Sequence, residues 1–259
     1  MRHLTDTHAH TVASTHAYST IEEYFRAAAD KGLQLFSVTD HGPDMPDSPH
    51  PWHFGNMRVL PRIRYGVAML RGVEANILPA SHRPLDVNDT LMSFMDFGIA
   101  SFHEPVFPPS DRKTNTRAMI AAMETGLIQI LGHPGNPNYP INIEEVVRAA
   151  RDNNVLIEIN NSSFVSSRLG SEPHCMEILE TVRALDWRVA LASDSHAHYT
   201  VGEVDIALEK IDQVGFPESN IVTLNARRLL EFLSEHGKPV ARELSAWLVE
   251  LESRENMER

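Results

Sequence analysis

The 259 residues are enough for one large α/β domain or two small ones, and 42% hydrophobic with 22% charged residues is ordinary for a soluble globular chain. Lys and Arg number 23 against 35 Asp and Glu, and the net charge of −12, with no basic run to offset it, argues against duplex nucleic acid as a partner. No stretch of about 18 apolar residues exists to span a membrane, no secretory leader is expected, and Cys175 as sole cysteine precludes an intrachain disulfide, so a reducing, cytoplasmic setting is expected.

In chain order, seven short apolar runs have the length of buried strands: Leu4–His8, Leu35–His41, Met69–Glu74, Phe97–His103, Ile128–His133, Val155–Asn160 and Val189–Asp194. Helical segments lie between them. The first, Thr20 to Ala29, follows a capping pattern of Ser19 and Glu22 and stops at Gly32. Thr116–Thr125, Ile143–Asn153 and Glu172–Leu185 read the same way, the last with a tolerated proline in its first turn. The segment Gly42–Arg64 holds five prolines and reads as a loop over one end of the sheet, followed by a helix near Met57–Tyr65. After the last strand come helices over Val201–Val214 and Ala226–His236, the latter capped by Asn225 and stopped by Gly237. A final helix, Pro239–Arg254, repeats Leu244, Trp247, Leu248 and Leu251 at helical spacing. Burial of that face within the monomer is expected, with a second subunit as the other occupant. Alternation of strand and helix implies a parallel sheet, and seven units suggest a barrel one short of the usual eight. An open doubly wound sheet is the alternative, but no G-x-G-x-x-G supports it.

Six of the seven strands deliver a ligand-type residue at the carboxyl end, where barrel active sites are built. The first ends in His8-Ala9-His10, whose imidazoles share a strand face. The others end in Asp40-His41, Glu74, His103, His133 and Asp194-Ser195-His196, and His16 follows the first strand in a loop. Any one of the 14 histidines is more often a hydrogen-bonded core or surface residue than a ligand; the recurrence at one end of the sheet changes that. Imidazole with carboxylate suits zinc, manganese or iron better than calcium or magnesium. One catalytic zinc needs only about three protein ligands, so His8, His10, His16, His41, Glu74, His103, His133, Asp194 and His196 imply two or three ions, with Glu74 a natural bridge.

These motifs resemble the PHP (polymerase and histidinol phosphatase) superfamily: His8-Ala9-His10, Thr39-Asp40-His41-Gly42, His133-Pro134 and Ser193-Asp194-Ser195-His196. The stretches from Val12 to Ser19, His103 to Phe107 and Glu158 to Phe164 are similar to its YcdX-like phosphatase branch. The resemblance runs from Thr5 to Phe232 and implies a distorted (β/α)7 TIM-like barrel over residues 1–236, with 237–259 as a C-terminal helical extension. It further implies a trinuclear site, usually zinc. His8, His10, Glu74 and Asp194 would hold one ion, Glu74, His103 and His133 a second, and His16, His41 and His196 a third.

The expected activity is hydrolysis of a small phosphomonoester by a metal-bound hydroxide, with Glu74 and Asp194 the residues most tied to it. Arg168 is the candidate phosphate clamp and Asn160 a candidate substrate contact; an exposed arginine without a role is nearly as good a reading. Asp40 either orients an imidazole or caps a loop. His50, His53, His82, His174 and His198 read as bystanders, with substrate contact open for the first two. The competing readings are a phosphodiesterase or exonuclease of the same superfamily, an amidohydrolase-like barrel, and a non-catalytic metal-binding domain. The amidohydrolase reading lacks a mid-chain lysine at a strand end, and the acidic charge weakens the exonuclease.

Overall fold

The computed structural model describes residues 1–79 and 83–258; His82 lies outside the described residues. Eight strands form one sheet: β1 (Thr5–Asp6), β2 (Leu35–Val38), β3 (Ile63–Arg64), β4 (Val67–Asn76), β5 (Phe97–Ser101), β6 (Ile130–Leu131), β7 (Leu156–Asn160) and β8 (Val189–Ala192). All but β3 are parallel, in the order β1-β2-β4-β5-β6-β7-β8, and helices fill the crossovers. The expected seven-stranded α/β barrel is what the chain builds.

Seven strands leave a seam between β8 and β1. At the carboxyl end a parallel bridge, Ala9 with Ser195, closes it, and the His10 N–H donates to the Ser195 carbonyl at 2.8 Å. Toward the other end residues 221–224 wedge into the gap. There the Leu4 N–H donates to the Leu224 carbonyl and the Leu191 N–H to the Thr223 hydroxyl, so the seam's backbone groups stay satisfied.

Strand periodicity divides the core. Leu35, Leu70, Phe97, Ile99, Ile130 and Leu156 point into the barrel, while Phe36, Met69, Ala100, Leu131 and Ile157 pack against the outer helices. The interior row narrows above the apolar layer. A Cβ on Gly72 would stand 2.7 Å from the Thr39 methyl, and one on Gly132 would stand 2.1 Å from the Ser101 hydroxyl. Two residues beyond Gly72, the same period carries Glu74 inward. The opposite end is plugged by the helices Ala226–Glu235, Val240–Glu243 and Ser245–Glu258, through Leu230, Phe232, Leu244 and Trp247.

Several element expectations are corrected. The helix placed near Met57–Tyr65 is instead a helical turn over Trp52–Asn56, a 3-10 turn over Met57–Val59 and then the hairpin of β3 with β4. Pro61 cannot donate to a helix, and Tyr65 and Gly66, at φ 52° and 81°, form the two-residue turn. Helix α1 (Ile21–Asp30) is capped by Thr20 with Glu23 rather than by Ser19, whose hydroxyl pairs with His198. The helix expected from Thr116 starts at Arg112 behind the Asp111 cap, and the final helix breaks at Leu244.

Candidate metal centre

The seven histidines and two carboxylates converge on the carboxyl end of the barrel. Glu74, at the end of β4, lies at the centre. Its Oε1 is 3.0 Å from His133 Nε2, 3.3 Å from His8 Nε2 and 3.4 Å from His103 Nε2. Its Oε2 is 3.0 Å from His41 Nδ1 and 3.5 Å from His10 Nε2. Asp194 Oδ1 lies 3.4 Å from His10, 3.6 Å from His8 and 3.7 Å from His196. His16 reaches in from the loop after β1, and its Nε2 stands 2.9 Å from His196 and 3.4 Å from His41. Three sets bring ligand atoms within 4.8 Å of one another: His8, His10 and Asp194; His41, Glu74 and His103; and His10, His41 and His196. Here His10 and His41 each belong to two sets, whereas the family resemblance allots each to one.

Burial makes this arrangement costly without a cation. His8 Nε2, both ring nitrogens of His10, His41 Nδ1 and Glu74 Oε2 are buried and make no hydrogen bond, although oxygens and nitrogens crowd around them. Burial alone would raise the Glu74 pKa; His103 and His8, with hydrogen bonds from His103 and His133, hold it well below the usual carboxylate range. Asp194 is held well down in the same way, by His8, His10 and Arg168 against the cost of burial. Burial opposes a charge on His8, yet Glu158, Glu74 and Asp194 outweigh it and raise its pKa well above normal. His10, buried and facing His41, is pushed down to about 3. These are opposed charges and lone pairs packed at short range, and a divalent ion satisfies such a donor set.

A family model described as "PHP domain" matches residues 6–162, more than half of the chain. The chain belongs to the PHP domain family. The matched segment carries His8 through His133, while Asp194 and His196 lie beyond it. The chain is 50% identical over 237 residues to "Probable phosphatase YcdX" of Escherichia coli (strain K12), covering 91% of this chain and 96% of that protein. It is 51% identical over 237 residues to a "Probable phosphatase" of Shewanella sediminis, covering 92% and 96%. Among solved structures, histidinol phosphate phosphatase of Lactococcus lactis, in complex with zinc, L-histidinol and phosphate, superposes with a TM-score of 0.59 at 18% identity, over 86% of this chain and 97% of that one. That likeness shows the shared fold.

Within this PHP barrel the outer contacts were the less legible part. Glu158, on the inward row of β7, accepts from His8 Nδ1 at 2.7 Å through Oε1, and from the His133 N–H at 2.8 Å and Asn160 Nδ2 at 3.0 Å through Oε2. Asp47 pairs with His16 Nδ1, and Asn76 Oδ1 lies 2.7 Å from His103 Nδ1. Each contact turns the other ring nitrogen toward the centre, as outer carboxylates and carbonyls do around bound metals. Asp40 serves the loop: it accepts from Thr11 and Ser14 and pairs with His53, without touching the His41 ring. Arg168 donates to Asp194 at 2.8 Å, to Asn160 at 3.1 Å and to Ser163 at 3.1 Å, so it is engaged at the site. His133, Asp194 and Arg168 have φ of 30°, 56° and 54°, strained backbone concentrated at the centre. His50 and His174 stand apart from the constellation; His50 accepts from the Trp52 N–H.

Proposed function

We propose that this PHP-domain chain is a metal-dependent phosphomonoesterase acting on a small phosphorylated substrate. The observation that carries it is the buried, self-opposing donor set at the end of the barrel. His8, His10, His16, His41, Glu74, His103, His133, Asp194 and His196 are the residues that would hold the ions, three in number and zinc by preference, with manganese or iron also suited to imidazole and carboxylate. The names of the relatives and the zinc and phosphate of the Lactococcus enzyme support this reading. When bound, such ions supply Lewis acidity and lower the pKa of water toward ~7, which removes the need for a protein nucleophile.

The chain's own residues divide the remaining work. Glu74 and Asp194 stay ionised and balance the positive charge at the centre. Glu158, Asp47 and Asn76 fix the His8, His16 and His103 rings. Arg168 stands beside Asp194 on the wall of an open cavity of about 560 Å³, where its planar fork suits phosphoryl oxygens. Asn160 holds Arg168 in that place through Oδ1, so it acts on substrate through the arginine. No described helix is long and apolar enough to cross a membrane, and the lone buried thiol of Cys175 fits a reducing cytoplasm.

The test is hydrolysis of p-nitrophenyl phosphate by zinc- or manganese-loaded protein against a panel of amides. Phosphate release without amide cleavage is expected, and Glu74→Ala or Asp194→Ala should abolish it while circular dichroism keeps the wild-type spectrum. Near wild-type turnover in either variant would refute the reading.

A further inference from the structure

The cavity over the centre has a wall with no role yet. Several of its polar groups pair among themselves or with neighbours. The Ser162 hydroxyl lies 2.9 Å from that of Ser167 and 3.3 Å from that of Ser166. Thr200 pairs with Ser195 at 2.9 Å, and Glu203 takes Lys31 at 3.1 Å. Arg168 is the one lysine or arginine lining the cavity among the described residues, and it is bound to Asp194. An aromatic ring and an aliphatic side chain complete this wall. Tyr18, 77% exposed, rises from the loop after β1, and Val165, 62% exposed, ends the helical turn Ser162–Val165. Both stand at the rim of the polar centre, where a bound ligand would cover their apolar surface.

We infer that this wall sets specificity: Tyr18 and Val165 receive the alcohol part of a phosphomonoester through an uncharged, apolar face. The inference rests on the phosphatase reading and deepens it. A second phosphate would meet no free cation beyond Arg168, while Glu203 stands on the same wall. A polyol would exchange bonds to water for bonds to these exposed hydroxyls, at small net gain. An aromatic or aliphatic face needs neither and gains contact area against the tyrosine ring.

The experiment compares kcat/KM of the metal-loaded protein for benzyl phosphate, glycerol 3-phosphate and fructose 1,6-bisphosphate. Benzyl and glycerol esters both leave as alkyl alcohols, so intrinsic reactivity does not decide between them. Benzyl phosphate should lead by about tenfold, and Tyr18→Ala or Val165→Ser should shrink the benzyl-to-glycerol ratio by about threefold to tenfold, the scale of one aromatic contact. Val249→Ala, an exposed apolar change on the C-terminal helix, should leave that ratio alone. A lead for glycerol 3-phosphate or the bisphosphate, or an unchanged ratio in both rim variants, overturns the inference and leaves the phosphatase reading standing. Failure to hydrolyse any of the three esters, nor p-nitrophenyl phosphate, sinks both.

Discussion

Replacing Glu158 by glutamine keeps the shape of a fully buried side chain and removes what it does. The carboxylate accepts three donors on two oxygens: His8 Nδ1 on one, the His133 N–H and Asn160 Nδ2 on the other. Glutamine has a single acceptor oxygen, so its amide N–H faces either the His133 N–H and Asn160 or a His8 Nδ1 that must give up its proton. The loss of a charge-assisted bond, about 1.5–3 kcal/mol, adds to about 1–3 kcal/mol for a buried donor left unmatched. A loss of about 3 kcal/mol should lower the melting temperature of the metal-free protein by roughly 6–12 °C for a chain of this size. His8 would also lose the anchor of its ring, and zinc affinity should fall about tenfold to a hundredfold. Thermal melts together with zinc competition against a chromophoric chelator read both effects. A melt within about 2 °C of wild type with zinc affinity unchanged would refute the assignment of Glu158 as the group that orients His8.

Zinc loading should release protons. In the metal-free protein Glu158, Glu74 and Asp194 overcome burial to raise His8, and Glu74 does the same for His41. His10, at about 3, has none to give at neutral pH. Titration calorimetry at pH 7 in two buffers of different ionisation enthalpy should therefore show net proton release on zinc binding, with affinity rising as pH rises. No proton release would contradict the charge state argued for His8. Arg168→Lys cannot reproduce the contacts to Asp194, Asn160 and Ser163; inhibition by inorganic phosphate should weaken about tenfold, and unchanged inhibition would remove Arg168 from the site. Leu244→Ala, 1% exposed between the last two helices, should cost about 2–4 kcal/mol by urea denaturation. A cost below about 0.5 kcal/mol would mean that the C-terminal helices form an extension separable from the barrel core.

Period two along the strands made the centre legible before any coordinates. His8 with His10, and Glu74 two residues beyond Gly72, had to face one way because alternate strand residues do. The partners of those residues were hidden because they come from contacts distant in sequence. Asp47 meets His16 across 31 positions and Asn76 meets His103 across 27, and local pattern carries no trace of either pairing. Glu158 did leave a signal: a carboxylate between Ile157 and Ile159, on the inward row with Leu156 and Asn160, needs a buried partner to be tolerated. The hairpin at Ile63–Val67 escaped detection because β3 has only two residues, too few for a periodic signal. Ser19 and Thr20 each precede a glutamate by three residues, so sequence could not choose between the two caps.

Anomalous diffraction at the zinc edge, from crystals of the full chain grown with zinc, addresses the central proposal most directly. The account predicts three anomalous peaks, each in contact with members of the set from His8 to His196. Crystals that show no peak among those side chains, or zinc bound only elsewhere on the surface, would contradict it.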